Sequence, residues 1–203
     1  MIEEMQDTLW AAKELFDRQL VTGTTGNISF RKGDNIFITK SGSCFGLLSE
    51  DSFSIVEIRA KVISGKPSKE FPLHLSIYRN NPSVASVIHT HSFYCTEFSC
   101  LRNAEAEKSK LFAYTPYLKM KTNGKIGFVK YSRPGSEPLF LDFEKEAEKG
   151  FNSYILRNHG LIVGTENPIT SFSLIEEFET SAHLAMELGN YQYTEFDTIS
   201  YSE

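Results

Sequence analysis

Between Ile2 and Leu20 the apolar residues Ile2, Met5, Leu9, Ala12, Phe16 and Leu20 recur at helical spacing. That stripe predicts an amphipathic helix over 2–20, with Gly23 as its stop. The period then shortens. Residues 27–30 and 36–39 predict the arms of a β-hairpin turning through 32–35, and 41–46 reads as a loop. Residues 53–59 predict a strand, followed by a turn at 64–69. Pro72 suits the first turn of a helix running to about Asn80, with Leu73 and Ile77 on one face.

The segment 84–91 predicts a strand and 92–101 a helix. Two further strands, 153–156 and 161–163, flank Asn158, His159 and Gly160. The last helix has the clearest signature. Asn167 can cap it, Pro168 fits its first position, and Phe172, Ile175, Phe178, Ala182 and Ala185 line one side up to Gly189. The charged runs at 104–110 and 144–149 are expected to be solvated helix faces. With no repeat or linker, the pattern predicts one α/β domain over 1–203, an antiparallel-rich sheet covered by helices.

Composition narrows the function classes. A chain of 203 residues can bury a substantial core. Its net charge of −5 argues against a nucleic-acid or anionic membrane surface. No apolar run approaches the roughly 20 residues of a membrane span. The acidic, amphipathic start lacks the features of a signal peptide. Cys44, Cys95 and Cys100 have no metal-type spacing and are expected as free thiols in a reducing cytoplasm.

Two of the five histidines, His89 and His91, stand one residue apart in an apolar segment. On a strand, positions i and i+2 share a face, so the two imidazoles project side by side. Such a pair can hold Zn²⁺, Fe²⁺ or Mn²⁺, although two hydrogen-bonded core histidines would show the same spacing. Glu70 opens the helix at Pro72, and His74 follows four residues later. His159 sits in a polar turn between two strands. Spacing alone leaves His74 and His159 both open as a third ligand. His183, between Ala182 and Leu184, is expected to pack or face solvent. A cupin-type arrangement fits poorly, because Glu97 comes six residues after His91.

Taken together the motifs resemble the class II aldolase/adducin family. They are T-T-G-N-I-S at 24–29, T-K-S-G at 39–42, P-S-K-E at 67–70, H-T-H at 89–91 and N-H-G at 158–160, in the family's order. The resemblance implies a class II aldolase-like fold, a central mainly antiparallel sheet flanked by helices. It also implies a divalent metal, Zn²⁺ or alternatively Mn²⁺, Co²⁺ or Fe²⁺, held by His89, His91 and His159. Glu70 would be a ligand at rest and an acid/base in turnover, and His74 a hydrogen-bonded helix residue. A phosphate cradle would comprise Gly26, Asn27, Ser41, Gly42, Ser68 and Lys69. Lys69 departs from the serine common in the sugar-phosphate aldolases.

Within the family, the segments 41–48, 66–79, 115–121 and 131–135 resemble the 3-oxo-tetronate 4-phosphate decarboxylases. Ser136 departs from the aspartate frequent there. The implied reaction converts a 3-oxo-tetronate 4-phosphate to dihydroxyacetone phosphate and CO2 through a metal-stabilised enediolate. A class II aldolase of the L-fuculose-1-phosphate type and a pentulose-phosphate 4-epimerase are the alternatives. Partners are expected to be a phosphorylated sugar acid or sugar phosphate and further copies of the chain, as a homotetramer. Arg133, Lys119 and Lys121 are the cations considered for the carboxylate end, with Tyr114, Tyr117 and Tyr131 along the same wall.

Overall fold

The computed structural model describes residues 3–189. Eight strands form one sheet: β1 (Asn27–Lys32), β2 (Asn35–Thr39), β3 (Phe53–Glu57), β4 (Val62–Ser64), β5 (Ser86–Thr90), β6 (Gly127–Val129), β7 (Ser153–Leu156) and β8 (Gly160–Thr165). Their order is β4-β3-β2-β1-β5-β8-β7-β6. Every neighbouring pair is antiparallel except β6 and β7. The helices are α1 (Glu3–Asp17), α2 (Phe71–Asn80), α3 (Phe93–Cys100), α4 (Ala104–Glu107), α5 (Tyr117–Thr122), α6 (Glu137–Ala147) and α7 (Pro168–Leu188). The expected fold class is the observed one.

Alternation along the central strands divides the core in two. Ile28, Phe30, Ile88, Leu161 and Val163 point to the face covered by α1, α3 and α7. Val87 and Ile162 point to the other face, against Leu73, Ile77 and Tyr78 of α2 and Leu139 and Phe143 of α6. His89 keeps step with Val87, so it faces α2.

The last helix follows its sequence signature: the Asn167 side chain accepts from the Thr170 N–H at 2.8 Å, and the five predicted apolar residues are buried. This helix also holds α3. The Tyr94 and Cys95 backbone N–H groups both donate to Glu179, at 2.8 and 3.1 Å. Two of the otherwise orphaned donors at the start of α3 are satisfied in this way.

The first helix differs from expectation. It ends at Asp17, because Gln19 turns left-handed (φ 61°) and the Leu20 and Val21 N–H groups close back on the Leu15 carbonyl. Its buried face is Met5, Thr8, Ala11, Ala12 and Leu15, with Leu9 and Phe16 at the border. Ile2 lies outside the described residues. The charged run at 144–149 is only partly solvated: Ala147 is fully buried and Glu144 accepts a hydrogen bond from Ser76 on α2. At 104–110, Ala104 is likewise buried.

Four elements had no counterpart in the apolar pattern: β4, β6, α5 and the first two turns of α6. The two strands have three residues each, too few for a period to show. β4 also buries none of its residues.

Removing the Asn167 carboxamide isolates one local term. Asn167→Ala is expected to cost about 1 kcal/mol in urea unfolding. An unchanged midpoint would mean that the cap does not limit stability.

Candidate metal centre and anion cradle

Four chain segments meet where β1 begins, β5 ends and β8 begins. Asn27 is paired with His89 across β1 and β5, and His89 with Ile162 across β5 and β8. Two close approaches allow this. A Cβ on Gly26 would stand 2.8 Å from the His89 carbonyl oxygen, and Gly26 also has φ 76°. A Cβ on Gly160 would stand 2.3 Å from the Thr90 carbonyl oxygen. Glycine at both positions lets the backbones touch beside the histidines.

His89 stands in β5 and His91 one residue beyond it. His159 occupies the tight turn joining β7 to β8, after Asn158 in the left-handed region (φ 52°). Glu70 is the residue preceding α2. Ligand atoms of Glu70, His89, His91 and His159 all lie within 4.8 Å of one another. Glu70, His89 and His159 are buried, and His91 is the least buried of the four.

The His89 Nδ1–H donates to the Leu161 carbonyl at 2.9 Å, leaving Nε2 as a bare lone pair. That lone pair faces His91 Nε2 at 3.0 Å, His159 Nε2 at 3.3 Å and Glu70 Oε2 at 3.4 Å. Glu70 Oε1 is 3.5 Å from His159 Nε2 and, among the described residues, has no hydrogen-bond partner. Ligands at 2.0–2.1 Å from a tetrahedral ion stand about 3.3–3.4 Å apart. The donor set, its spacing and the buried carboxylate oxygen therefore fit a divalent cation.

Spacing left His74 and His159 open as the third histidine, and the geometry separates them. His74 lies outside the four-residue cluster, with its ring bonded to Ser29 Oγ and Asn27 Oδ1. His183 stacks on Tyr94, with ring centroids 3.8 Å apart, and is no part of the site.

Electrostatics follow from burial. Desolvation is the largest single influence on Glu70 and raises its pKa. It is outweighed by the side-chain contact with His89 and by the proximity of the three imidazoles, which bring the pKa down to about 2. Burial, then proximity to His89, lowers His91 to about 3 and His159 to about 4. Neutral imidazole is the form that ligates metal.

The predicted cradle residues come from three segments tied by backbone hydrogen bonds. The Ser41 N–H donates to the Lys66 carbonyl, and the Ser68 N–H to the Thr39 carbonyl, both at 3.0 Å. The Ile28 N–H, beside Asn27, donates to Thr39 Oγ1 at 3.2 Å. Asn27 and Ser68 are buried, while Ser41, Gly42 and Lys69 are exposed. Lys69 has no ion-pair partner among the described residues, and its stem lies against Gly135. Of the cations considered for the carboxylate end, Lys121 is engaged elsewhere, with Ser173 and Glu177 of α7. Arg133 belongs to the loop whose Gly135 touches Lys69. The Leu161 carbonyl had no sequence signal, being backbone. The contacts of Ser29 and Tyr78 had none either, because they depend on strand register.

Comparison with known proteins agrees with this geometry. Residues 6–186 match the model of the class II aldolase and adducin N-terminal domain. The chain is 38% identical to the 3-oxo-tetronate 4-phosphate decarboxylase of Pectobacterium atrosepticum, over 86% of this chain and 80% of that one. It is 37% identical to an L-fuculose phosphate aldolase of Methanococcus maripaludis, over 87% of this chain and 92% of that one. Among solved structures it resembles YgbL of Klebsiella pneumoniae, a putative aldolase/epimerase/decarboxylase. The TM-score is 0.87 and the identity 30%, covering 97% of this chain and 94% of that one.

The depressed histidines set a pH dependence. For His74, His91 and His159 the folded-state pKa lies below the ordinary 6.5, at about 3 to 4. Below pH 6.5 the unfolded chain therefore binds more protons, and stability falls with acidification. The Tm of metal-free protein is expected to drop steadily from pH 6.5 towards 4. A Tm that is flat over this interval would contradict the burial account.

Proposed function

Because the chain belongs to the class II aldolase and adducin family, we propose that it is a metal-dependent carboxy-lyase. It converts a 3-oxo-tetronate 4-phosphate to dihydroxyacetone phosphate and CO2. The observation that carries the chemistry is the converged Glu70, His89, His91 and His159 cluster. The choice of leaving group is supported by the 38% identity to a decarboxylase and by the likeness to YgbL. The aldolase reading has its own support in the relative at 37% identity.

His89, His91 and His159 would hold the cation, Zn²⁺ by preference for three imidazoles and a carboxylate. When bound it supplies a Lewis acid for negative charge developing on the oxygens at C2 and C3. Gly26 and Gly42 would cradle the phosphate through backbone N–H groups, and Asn27, Ser41 and Ser68 through their small polar side chains. Lys69 adjoins Glu70 in the chain, is exposed and has no ion-pair partner among the described residues, so its ammonium is available to a substrate anion.

Glu70 moves the proton. At rest its carboxylate lies against the three imidazoles as a fourth ligand group. Substrate entering the cluster displaces it. The burial that remains then raises its pKa, so it can take up a proton and deliver it to C2 after CO2 departs. CO2 needs no proton of its own, so no second acid is required at the leaving group.

We further propose a cytoplasmic homotetramer. Exposed Phe93, Tyr117, Met120, Tyr131 and Leu141 support contact between subunits, and the three cysteines are unpaired. Among the described residues no helix is long and apolar enough to cross a membrane.

Elemental analysis should find one divalent metal per chain in wild type and none in His159→Ala. Retention of full metal by that variant would remove His159 from the site. Glu70→Gln should lower turnover about 10²–10⁴-fold, the usual loss of a general acid. Near-normal turnover would leave Glu70 without a role in proton transfer. For the reaction itself, the acid should be generated in situ and dihydroxyacetone phosphate followed against an enzyme-free control. L-Fuculose 1-phosphate and L-ribulose 5-phosphate are tested in parallel. Turnover of either sugar phosphate without accelerated CO2 release would select the aldolase or epimerase reading.

A further inference from the structure

His74 is fully buried beside the metal cluster and has no task in the chemistry above. Both ring nitrogens are engaged. Nδ1 is 2.7 Å from Ser29 Oγ, and Nε2 is 2.5 Å from Asn27 Oδ1. Ser29 Oγ is in turn 2.8 Å from the Tyr78 hydroxyl. The result is a buried line of polar groups from Tyr78 to Asn27.

The direction of this line follows from its Asn27 end. The atom against His74 Nε2 is the amide oxygen Oδ1, which can only accept, so Nε2 carries the ring proton and donates to it. A neutral imidazole has a single proton, so Nδ1 accepts from the Ser29 hydroxyl. The Ser29 oxygen, its own proton given to His74, then accepts from the Tyr78 hydroxyl. Every proton is used once and no group is charged. Burial, then the neighbouring His89, lowers the His74 pKa to about 3, consistent with a neutral ring.

An amide has an acceptor end and a donor end. With Oδ1 held by His74, the Nδ2 amino group is the end left for a ligand. The reverse orientation would present an oxygen to an anion. We propose that His74 is a positioning residue: through the directed chain Tyr78–Ser29–His74, it holds the Asn27 amide with its donor end towards the substrate phosphate. This rests on the cradle reading of Asn27 given above.

Wild-type, metal-loaded protein provides the first test. Side-chain ¹⁵N–¹H correlation spectra should show His74 neutral with its proton on Nε2 at pH 7. A proton on Nδ1, or on both nitrogens, overturns the proposal. The second test measures calorimetric binding of inorganic phosphate, together with KM and kcat for the phosphorylated acid. It compares wild type, Asn27→Ala, His74→Leu and Tyr78→Phe, each checked for fold and metal content. Asn27→Ala should weaken phosphate about tenfold or more, the loss of one hydrogen bond to a charged group. His74→Leu and Tyr78→Phe should weaken it in the same direction, with KM rising more than kcat falls and metal content unchanged. If Asn27→Ala binds phosphate as wild type does, the cradle reading fails and the inference with it. If Asn27→Ala is weakened while folded, metal-loaded His74→Leu and Tyr78→Phe bind as wild type, the cradle stands and the inference fails alone.

Discussion

The pairing of β5 between β1 and β8 is the constraint on which the rest depends. It sets His89 opposite Asn27 on one side and Ile162 on the other. A slip of one residue in either ladder would turn His89 to the opposite face of the sheet, into the apolar layer under α7. The glycines at 26 and 160 serve this register, because each removes a Cβ that would strike a β5 carbonyl. The cluster is therefore a product of strand alignment, with the residue that precedes α2 supplying the carboxylate.

Burying three imidazoles against one carboxylate is costly in the absence of a cation. The bare Nε2 of His89 faces two other ring nitrogens, and Glu70 Oε1 has no hydrogen-bond partner among the described residues. The cluster is embedded in a large two-sided core. Binding a positive ion would relieve the lone-pair crowding and the orphaned oxygen together. Stability and function thus pull in opposite directions at this one place.

The sequence made much of this legible, for identifiable reasons. The long apolar stripe from Phe172 to Ala185 has few competing interpretations, and its helix is as expected. His89 and His91 were readable as a pair because strand periodicity is short and strict. His159 was not separable from His74 by spacing, since its approach to His89 spans seventy positions and depends on tertiary pairing. The first helix misled because Leu9, Phe16 and Leu20 sit at the border of the buried face while Thr8 lies inside it. Side-chain contacts such as Ser29 with Tyr78 were invisible because they depend on register and packing, which composition does not encode.

The strand order has a consequence for how the chain reaches this state. β8 lies between β5 and β7, so the C-terminal hairpin must insert beside a strand made some seventy residues earlier. No contiguous fragment that stops short of residue 160 can bring His159 to His89. A nascent or truncated chain holds at most the His89–His91 pair and Glu70, exposed along an unpaired edge of β5. Closure of the centre therefore coincides with completion of the middle of the sheet, a late and non-local event. Metal uptake on this fold would report assembly of the whole domain, and loss of the ion would follow global opening more closely than local fraying.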